Sequence, residues 1–279
     1  MAVEAESGAA ANAAAGSSFY LAMRLLPKER REAMYAIYAF CRAVDDIADD
    51  ASRPRAARME QLDEWRRGIE SLYSDDPSSL VTFLRSAVLR YGLRKQDFLA
   101  VIDGMAMDVA EDIRAPEFAA LDLYCDRVAS AVGRLSIGVF GMDEEPGFRL
   151  AHSLGRALQL TNILRDLDED ADLGRLYLPR ELLEGASVPT DSPRRALAAP
   201  NVEAVCRGVA GIARQHYRDA DAILHSRPRG DVRPPRLMSA VYSAILQEME
   251  YRGWSSPRRR VRVPRHRLVW MFLRHGIAA

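Results

Sequence analysis

Two stretches of this chain carry carboxylates four residues apart: Asp45-Asp46-Ile47-Ala48-Asp49-Asp50, and Asn162-Ile163-Leu164-Arg165-Asp166-Leu167-Asp168-Glu169-Asp170. On a helix this spacing stacks Asp45 with Asp49, and Asp166 with Asp170, on one face a turn apart. Like charges so placed repel by a few tenths of a kcal/mol (~0.2–0.5), so each pair asks for a cation. Tyr38, Arg42, Asp45 and Asp49 sit at offsets zero, four, seven and eleven and share a face. Alone, that face also reads as a solvated surface on which Arg42 neutralises Asp45. The second stripe, Gln159, Asn162, Asp166 and Asp170, lies at offsets zero, three, seven and eleven, with Arg165 adjacent. Amide oxygens aligned with carboxylates suit a hard cation, and two such stripes in one chain weigh against mere surface pairing. The implied ion is Mg²⁺, which takes oxygen ligands and is held by one or two carboxylates plus substrate phosphate oxygens. The forked guanidiniums of Arg42 and Arg165 would hold those phosphate oxygens. The five histidines, His152, His216, His225, His266 and His275, show no ligand spacing with the cysteines, which argues against softer metals. No glycine-rich phosphate loop and no dinucleotide fingerprint is present.

The elements that must carry these stripes are helices. Across 279 residues prolines leave long gaps, and within them apolar residues recur at three and four: Leu62, Trp65, Ile69 and Leu72; Leu150, Leu154, Leu158 and Thr161; Val241, Ile245 and Met249. Alternating runs bounded by turn residues are nearly absent, so the fold class is all-α. Helices are expected to begin with Pro27 and Pro54 in their first turns, and loops are expected over Gly185–Asp191 and Ser226–Pro235. Residues 1–15, rich in Ala, Gly and Ser, read as a disordered tail ahead of a single domain over 16–279. The three cysteines, Cys41, Cys125 and Cys206, are too scattered for a disulfide framework and fit a reducing cytoplasm. No apolar stretch reaches the length of a membrane span, about 18 residues. The formal net charge is zero, which disfavours nucleic acid as a partner. From Arg252 to His275, however, there are eight arginines and no acid. Followed by Leu268, Val269, Trp270, Met271, Phe272 and Leu273, this segment reads either as a peripheral contact for anionic lipid or as a final core helix flanked by a solvated basic loop, and the second is favoured. Ala129, Ala131, Gly133 and Gly138 either leave room for a bound chain or allow close helix packing.

Beyond the stripes, several phrases resemble the head-to-head prenyl synthases, the squalene, phytoene and dehydrosqualene synthases. They are Ser17-Ser18-Phe19-Tyr20, Tyr38-Ala39-Phe40-Cys41-Arg42, Tyr124-Cys125-Asp126-Arg127-Val128-Ala129, Gln159-Leu160-Thr161-Asn162-Ile163-Leu164-Arg165-Asp166 and Gly174-Arg175-Leu176-Tyr177-Leu178-Pro179. The resemblance runs from about Gly16 to His275, and Leu273-Arg274-His275-Gly276 is similar to the bacterial hopanoid-pathway branch. It implies an isoprenoid-synthase-type helical bundle with a central cavity. The implied reaction is Mg²⁺-dependent condensation of two farnesyl diphosphates to presqualene diphosphate. Phytoene or dehydrosqualene synthesis, complete NADPH-dependent squalene synthesis, and a non-catalytic binding factor of the same fold are the rivals. By the same resemblance, Asp45, Asp49, Asn162, Asp166 and Asp170 would bind the metal. Arg42, Arg165, Gln159 and the turn at Gly16, Ser17, Ser18 and Phe19 would hold diphosphate. Tyr38 and Tyr124 would face the reacting carbons, Trp254 would stand where relatives place a substrate-facing Tyr, and Arg175 and Tyr177 would lie on a flap. Two positions depart from the pattern: Ala15, Gly16 and Ser17 stand where a basic residue is common, and Ala48 where some squalene synthases have an acid.

Overall fold

The computed structural model describes residues 18–276 other than 75, 77, 112 and 227, so the expected tail, Gly16 and Ser17 lie outside it. Helices follow in the order α1 (Ser18–Met23), α2 (Lys28–Asp49), α3 (Arg55–Leu72), α4 (Arg85–Tyr91), α5 (Lys95–Ala110), α6 (Phe118–Cys125) and α7 (Ala131–Phe140). There follow α8 (Glu144–Arg165), α9 (Leu167–Asp172), α10 (Arg180–Gly185), α11 (Pro193–Ala198), α12 (Val202–His225), α13 (Arg233–Arg252) and α14 (Arg265–Gly276). A 3₁₀ turn, Ser79–Leu84, leads into α4, and a π-helical turn, Asp126–Ser130, joins α6 to α7. Among the described residues no strand forms; Arg114 and Leu176 make a lone parallel bridge. The all-α expectation holds.

Proline placement explains most helix starts. Pro27 and Pro54 are the capping residues of α2 and α3, one position before the expected first turn. The expected loop over Ser226–Pro235 is shorter than that, because Pro234 and Pro235 fall within the first turn of α13. Proline fits there, since first-turn amides have no intrahelical acceptor to lose. Likewise Gly185 closes α10 and does not open the loop after it.

The bundle is built around α8, which packs against α7, α12, α13 and the π-helical turn. Leu150, Leu154, Ala157, Leu160, Ile163 and Leu164 are buried around much of its circumference, as a central helix requires. Close approach depends on Gly155: a Cβ there would lie 2.7 Å from the Ser130 Cα and backbone nitrogen. Gly155→Ala should therefore cost about 1–3 kcal/mol in chemical denaturation, as overpacking against backbone does; an unchanged midpoint would show that the π-helical turn yields freely.

A chain of charge, buried at Asp97 and Arg156 and exposed at Asp122, ties this core to its neighbours. Arg134 on α7 pairs with Asp97 of α5 at 2.5 Å and with Asp126 at 3.0 Å, and Arg156 of α8 pairs with Asp126 at 3.2 Å and Asp122 at 2.6 Å. Most members have two partners, Asp97 being held by Arg94 at 3.3 Å as well, so the network links α5, α6, α7 and α8 and constrains their register. The three cysteines are free, as expected.

Candidate active site

A cavity of about 360 Å³ opens among α2, α5, α6, α7, α8 and α13. Much of its wall is apolar, from Val101, Met105, Val132, Ile137, Phe140, Leu150, Leu154 and Met238. Polar residues gather on two helices: Tyr38, Arg42 and Asp45 from α2, and Gln159 and Asn162 from α8. These members of the two stripes thus face a common space, while Asp49, Arg165, Asp166 and Asp170 are not among the residues that line it. The small residues divide between the two expected uses. Ala129 and Gly133 line the cavity, but Gly133 is also closely packed, its Cβ position lying 2.9 Å from the Ala151 Cβ, as is Gly138, whose Cβ position lies 3.0 Å from the Tyr91 carbonyl oxygen.

On α2 the stripe is continuous. Arg42 donates to Asp45 and, at 2.5 Å, to the exposed Asp46, leaving Asp46 outside the cavity. Burial, and then the neighbouring Asp49 charge, push the Asp45 carboxyl up to about 6.

The second stripe crosses a helix break, contrary to a reading of Gln159 to Asp170 as one helix. Asp166 caps α8 with φ −106° and ψ 18°, and α9 restarts at Leu167. Its carboxylate is gripped by the adjacent Arg165 at 2.8 and 2.6 Å. The spacing survives because the Asp166 amide donates to Asn162 at 2.9 Å and the Asp170 amide donates to Asp166 at 2.9 Å. Burial, and then the Asp166 charge, raise Asp170 to about 7.

Arg175 joins the two stretches. Its amide donates to the Asp170 carbonyl at 2.8 Å, and its guanidinium donates to Asp49 at 2.7 Å. Arg175 and Tyr177 are buried, and the Leu176 backbone is bonded to Ile113 and Ala115, so the segment expected as a flap is packed into the fold. Below it, Tyr177 donates to Asp108 at 2.6 Å and Tyr124 donates to the other Asp108 oxygen at 2.9 Å. The two phenol rings stack at 5.0 Å. Burial raises both phenols above their usual range, so they remain protonated donors.

Asp108 was not singled out from sequence, although Val101, Met105 and Asp108 stand at offsets zero, four and seven on α5, an inward stripe. Tyr242, on the cavity wall and close to Arg165, was also missed. Of the remaining expected site residues, Ser18 and Phe19 fall in α1, their side chains outside the described residues, as Gly16 and Ser17 are altogether. Trp254 is placed away from the cavity wall. It is buried in the core, with its indole N–H donating to the Leu164 carbonyl at 3.1 Å, directly behind the Asp166 turn.

The basic segment is a further correction. Arg258 donates to Asp168 at 2.8 Å, and Arg260 pairs with Asp166 at 3.1 Å and Glu169 at 3.0 Å. The acids of α9 hold Arg258 and Arg260, while Arg259 and Arg262 remain exposed as expected of a solvated basic loop.

The donors fit a hard cation. The Asn162 Oδ1 is buried without a hydrogen-bond partner, and both Asp45 and Asp170 are held in an excess of negative charge. Among the described residues no three or more His, Cys, Asp or Glu side chains are gathered to enclose a metal. Such a donor set leaves coordination positions to water and phosphate oxygens, the habit of Mg²⁺.

The squalene/phytoene synthase family model matches residues 12–267. The chain belongs to the squalene/phytoene synthase family. A presqualene diphosphate synthase of Zymomonas mobilis is 55% identical over 96% of this chain and 92% of the relative. Another from Sinorhizobium fredii is 52% identical over 94% of each. A dehydrosqualene synthase solved with ligand superposes with TM-score 0.84 at 25% identity, covering 99% of this chain and 97% of that one. As a member of the squalene/phytoene synthase family the chain is a prenyltransferase, with the isoprenoid-synthase helical fold. The family is in general divalent-metal dependent.

Proposed function

We infer that this chain condenses two farnesyl diphosphates head to head into presqualene diphosphate, in the supply of squalene for hopanoids. The observation that carries the reading is one cavity whose wall is largely apolar and also bears Tyr38, Arg42, Asp45, Gln159 and Asn162. It is supported by the names of relatives more than half identical over nearly the full chain. Residues 16–279 act as one prenyl synthase domain in this reading.

Asp45, Asp49, Asn162, Asp166 and Asp170 would hold Mg²⁺. When bound, Mg²⁺ supplies charge neutralisation for a departing diphosphate. Arg42 and Arg165 bind and orient diphosphate oxygens, with Gln159 donating alongside. The apolar wall buries the farnesyl tail, contributing on the order of 10 kcal/mol gross at about 0.8 per methylene. It also excludes water from the allylic cation left when the C–O bond breaks. That cation takes the electron pair of the second substrate's double bond, and loss of a proton closes the cyclopropane. Tyr38 and Tyr124 stand at the cavity to orient the reacting ends, and Asp108 fixes the Tyr124 hydroxyl. No reduction enters this sequence.

The test is product analysis with farnesyl diphosphate and Mg²⁺, with and without NADPH. Presqualene diphosphate in both arms is the expected result. Squalene formed only with NADPH would make it a complete squalene synthase. Condensation only of the longer geranylgeranyl diphosphate would favour phytoene synthesis, and no Mg²⁺-dependent diphosphate binding would favour a non-catalytic role.

A further inference from the structure

We propose that α14 and the arginines around it form a docking surface for an anionic lipid bilayer. The helix has two unlike sides. Met271 is buried, and Leu268 and Phe272 pack on the core with it. Val269, Trp270 and Leu273 are instead 59%, 55% and 50% exposed. At roughly 100° per residue, these three fall on one outward flank, and Arg267 and Arg274 border it. The Arg274 guanidinium lies over the Trp270 ring, 5.1 Å from its centroid.

The eight arginines from Arg252 to Arg274 are not alike. Arg252, Arg258 and Arg260 have carboxylate partners within the fold. Arg259, Arg262, Arg267 and Arg274 are exposed, and among the described residues no carboxylate pairs with them. The sequence from Arg252 onward contains no acid that could do so. Exposed Trp, Val and Leu ringed by uncompensated arginines match the interfacial zone of a membrane with negative headgroups. Two copies meeting on this face by two-fold symmetry would bring these arginines toward their own counterparts, so the charge favours an anionic partner. At twelve residues α14 is a surface helix, and no helix among the described residues is long and apolar enough to cross a membrane. It packs on α13, which supplies Pro235, Met238 and Tyr242 to the cavity wall. Docking through α14 thus sets the cavity beside the phase that dissolves a prenyl chain.

Sedimentation of the full-length protein with vesicles tests this without any substrate. The vesicles would be phosphatidylcholine alone, or with about one-third phosphatidylglycerol. Binding to the anionic vesicles only, weakened by salt, is expected, with a blue shift of Trp270 emission. The buried Trp254 and partly buried Trp65 would contribute little to that shift. Arg267→Gln and Arg274→Gln should each weaken binding about fivefold, the equivalent of about 1 kcal/mol per basic residue. Leu273→Glu should abolish the blue shift while leaving turnover on detergent-dispersed substrate unchanged. Equal binding to both vesicle types, or none, would overturn the proposal. So would a dimer that Leu273→Glu dissociates in the absence of vesicle binding, since a second copy would then cover the face.

Discussion

Asp45→Asn should lose turnover by at least about a hundredfold, the scale for removing one preorganised electrostatic contact, while raising the melting temperature of the metal-free protein. The two effects have one cause. Asp45 sits partly buried beside Asp49 and feels Asp46 and Asp108 as well, and burial is the larger influence on its carboxyl. An amide of the same shape removes that repulsion, and Arg42 keeps its second partner, Asp46. A residue serving only the fold would show the opposite sign, a loss of stability with its loss of charge. Acid should give the same relief. The carboxyls of Asp45 and Asp170 lie at about 6 and about 7 in the folded chain, above the unfolded value of about 3.9. The folded state then binds protons more tightly at these two sites, so their contribution to metal-free stability is fully present below about pH 4 and is lost as pH rises through 6 to 7. Added Mg²⁺ should offset that loss at pH 8, because cation binding requires the deprotonated carboxylates. Thermal melts at pH 5.5 and 8, with and without Mg²⁺, together with diphosphate release from farnesyl diphosphate, check both halves. Near-normal turnover in Asp45→Asn would remove the residue from the cation site.

What could be read from sequence followed from how local the cause was. The α2 stripe was legible because a helix of 22 residues keeps its period without interruption from Tyr38 to Asp49. The second stripe was legible as a set of residues and illegible as a shape. At the break, Asp166 is held by its neighbour Arg165 and by Arg260 arriving 94 residues further along, and only the first of these contacts is local. Arg258 and Arg260 looked like a solvated basic run for the same reason: their partners, Asp168 and Glu169, lie about 90 positions away. Trp254 was placed by analogy with a substrate-facing tyrosine, but its indole N–H found the Leu164 carbonyl, and that bond turns the ring into the core. A hydrogen bond across 90 residues leaves no periodic trace. Asp108 did leave one, as a carboxylate at an inward position of an apolar helix, which is the most costly place for such a group and so the most informative.

That cost makes Asp108 the second test. Burial pushes its carboxyl up, and the hydroxyls of Tyr177 and Tyr124 with the nearby Arg175 charge pull it back down. Two phenols donate to its two oxygens, so Asp108→Asn leaves a single acceptor for both. The hydroxyl facing the new NH2 loses its acceptor and must rotate, to accept from the amide or to donate to the other phenol oxygen 3.4 Å away, at a cost of about 1–3 kcal/mol in denaturant unfolding. Turnover should fall by about 10- to 100-fold, the range for residues that orient others at a metal-dependent site. The fall should appear in kcat more than in KM, because the phenols orient the reacting end and the substrate tail is held elsewhere in the cavity. Adding Tyr177→Phe should relieve the competition, since the new amide would then face one phenol only. The double variant is therefore expected to be less damaged than the sum of the two single changes, by about 0.5–3 kcal/mol, the range for residues in one network. Additive losses would show that the two hydroxyls act independently, and a normal kcat in Asp108→Asn would confine the residue to packing. The stacked phenols close over this carboxylate directly below the Arg175 bridge, so the same experiment asks whether the two aspartate stretches are held in register from underneath.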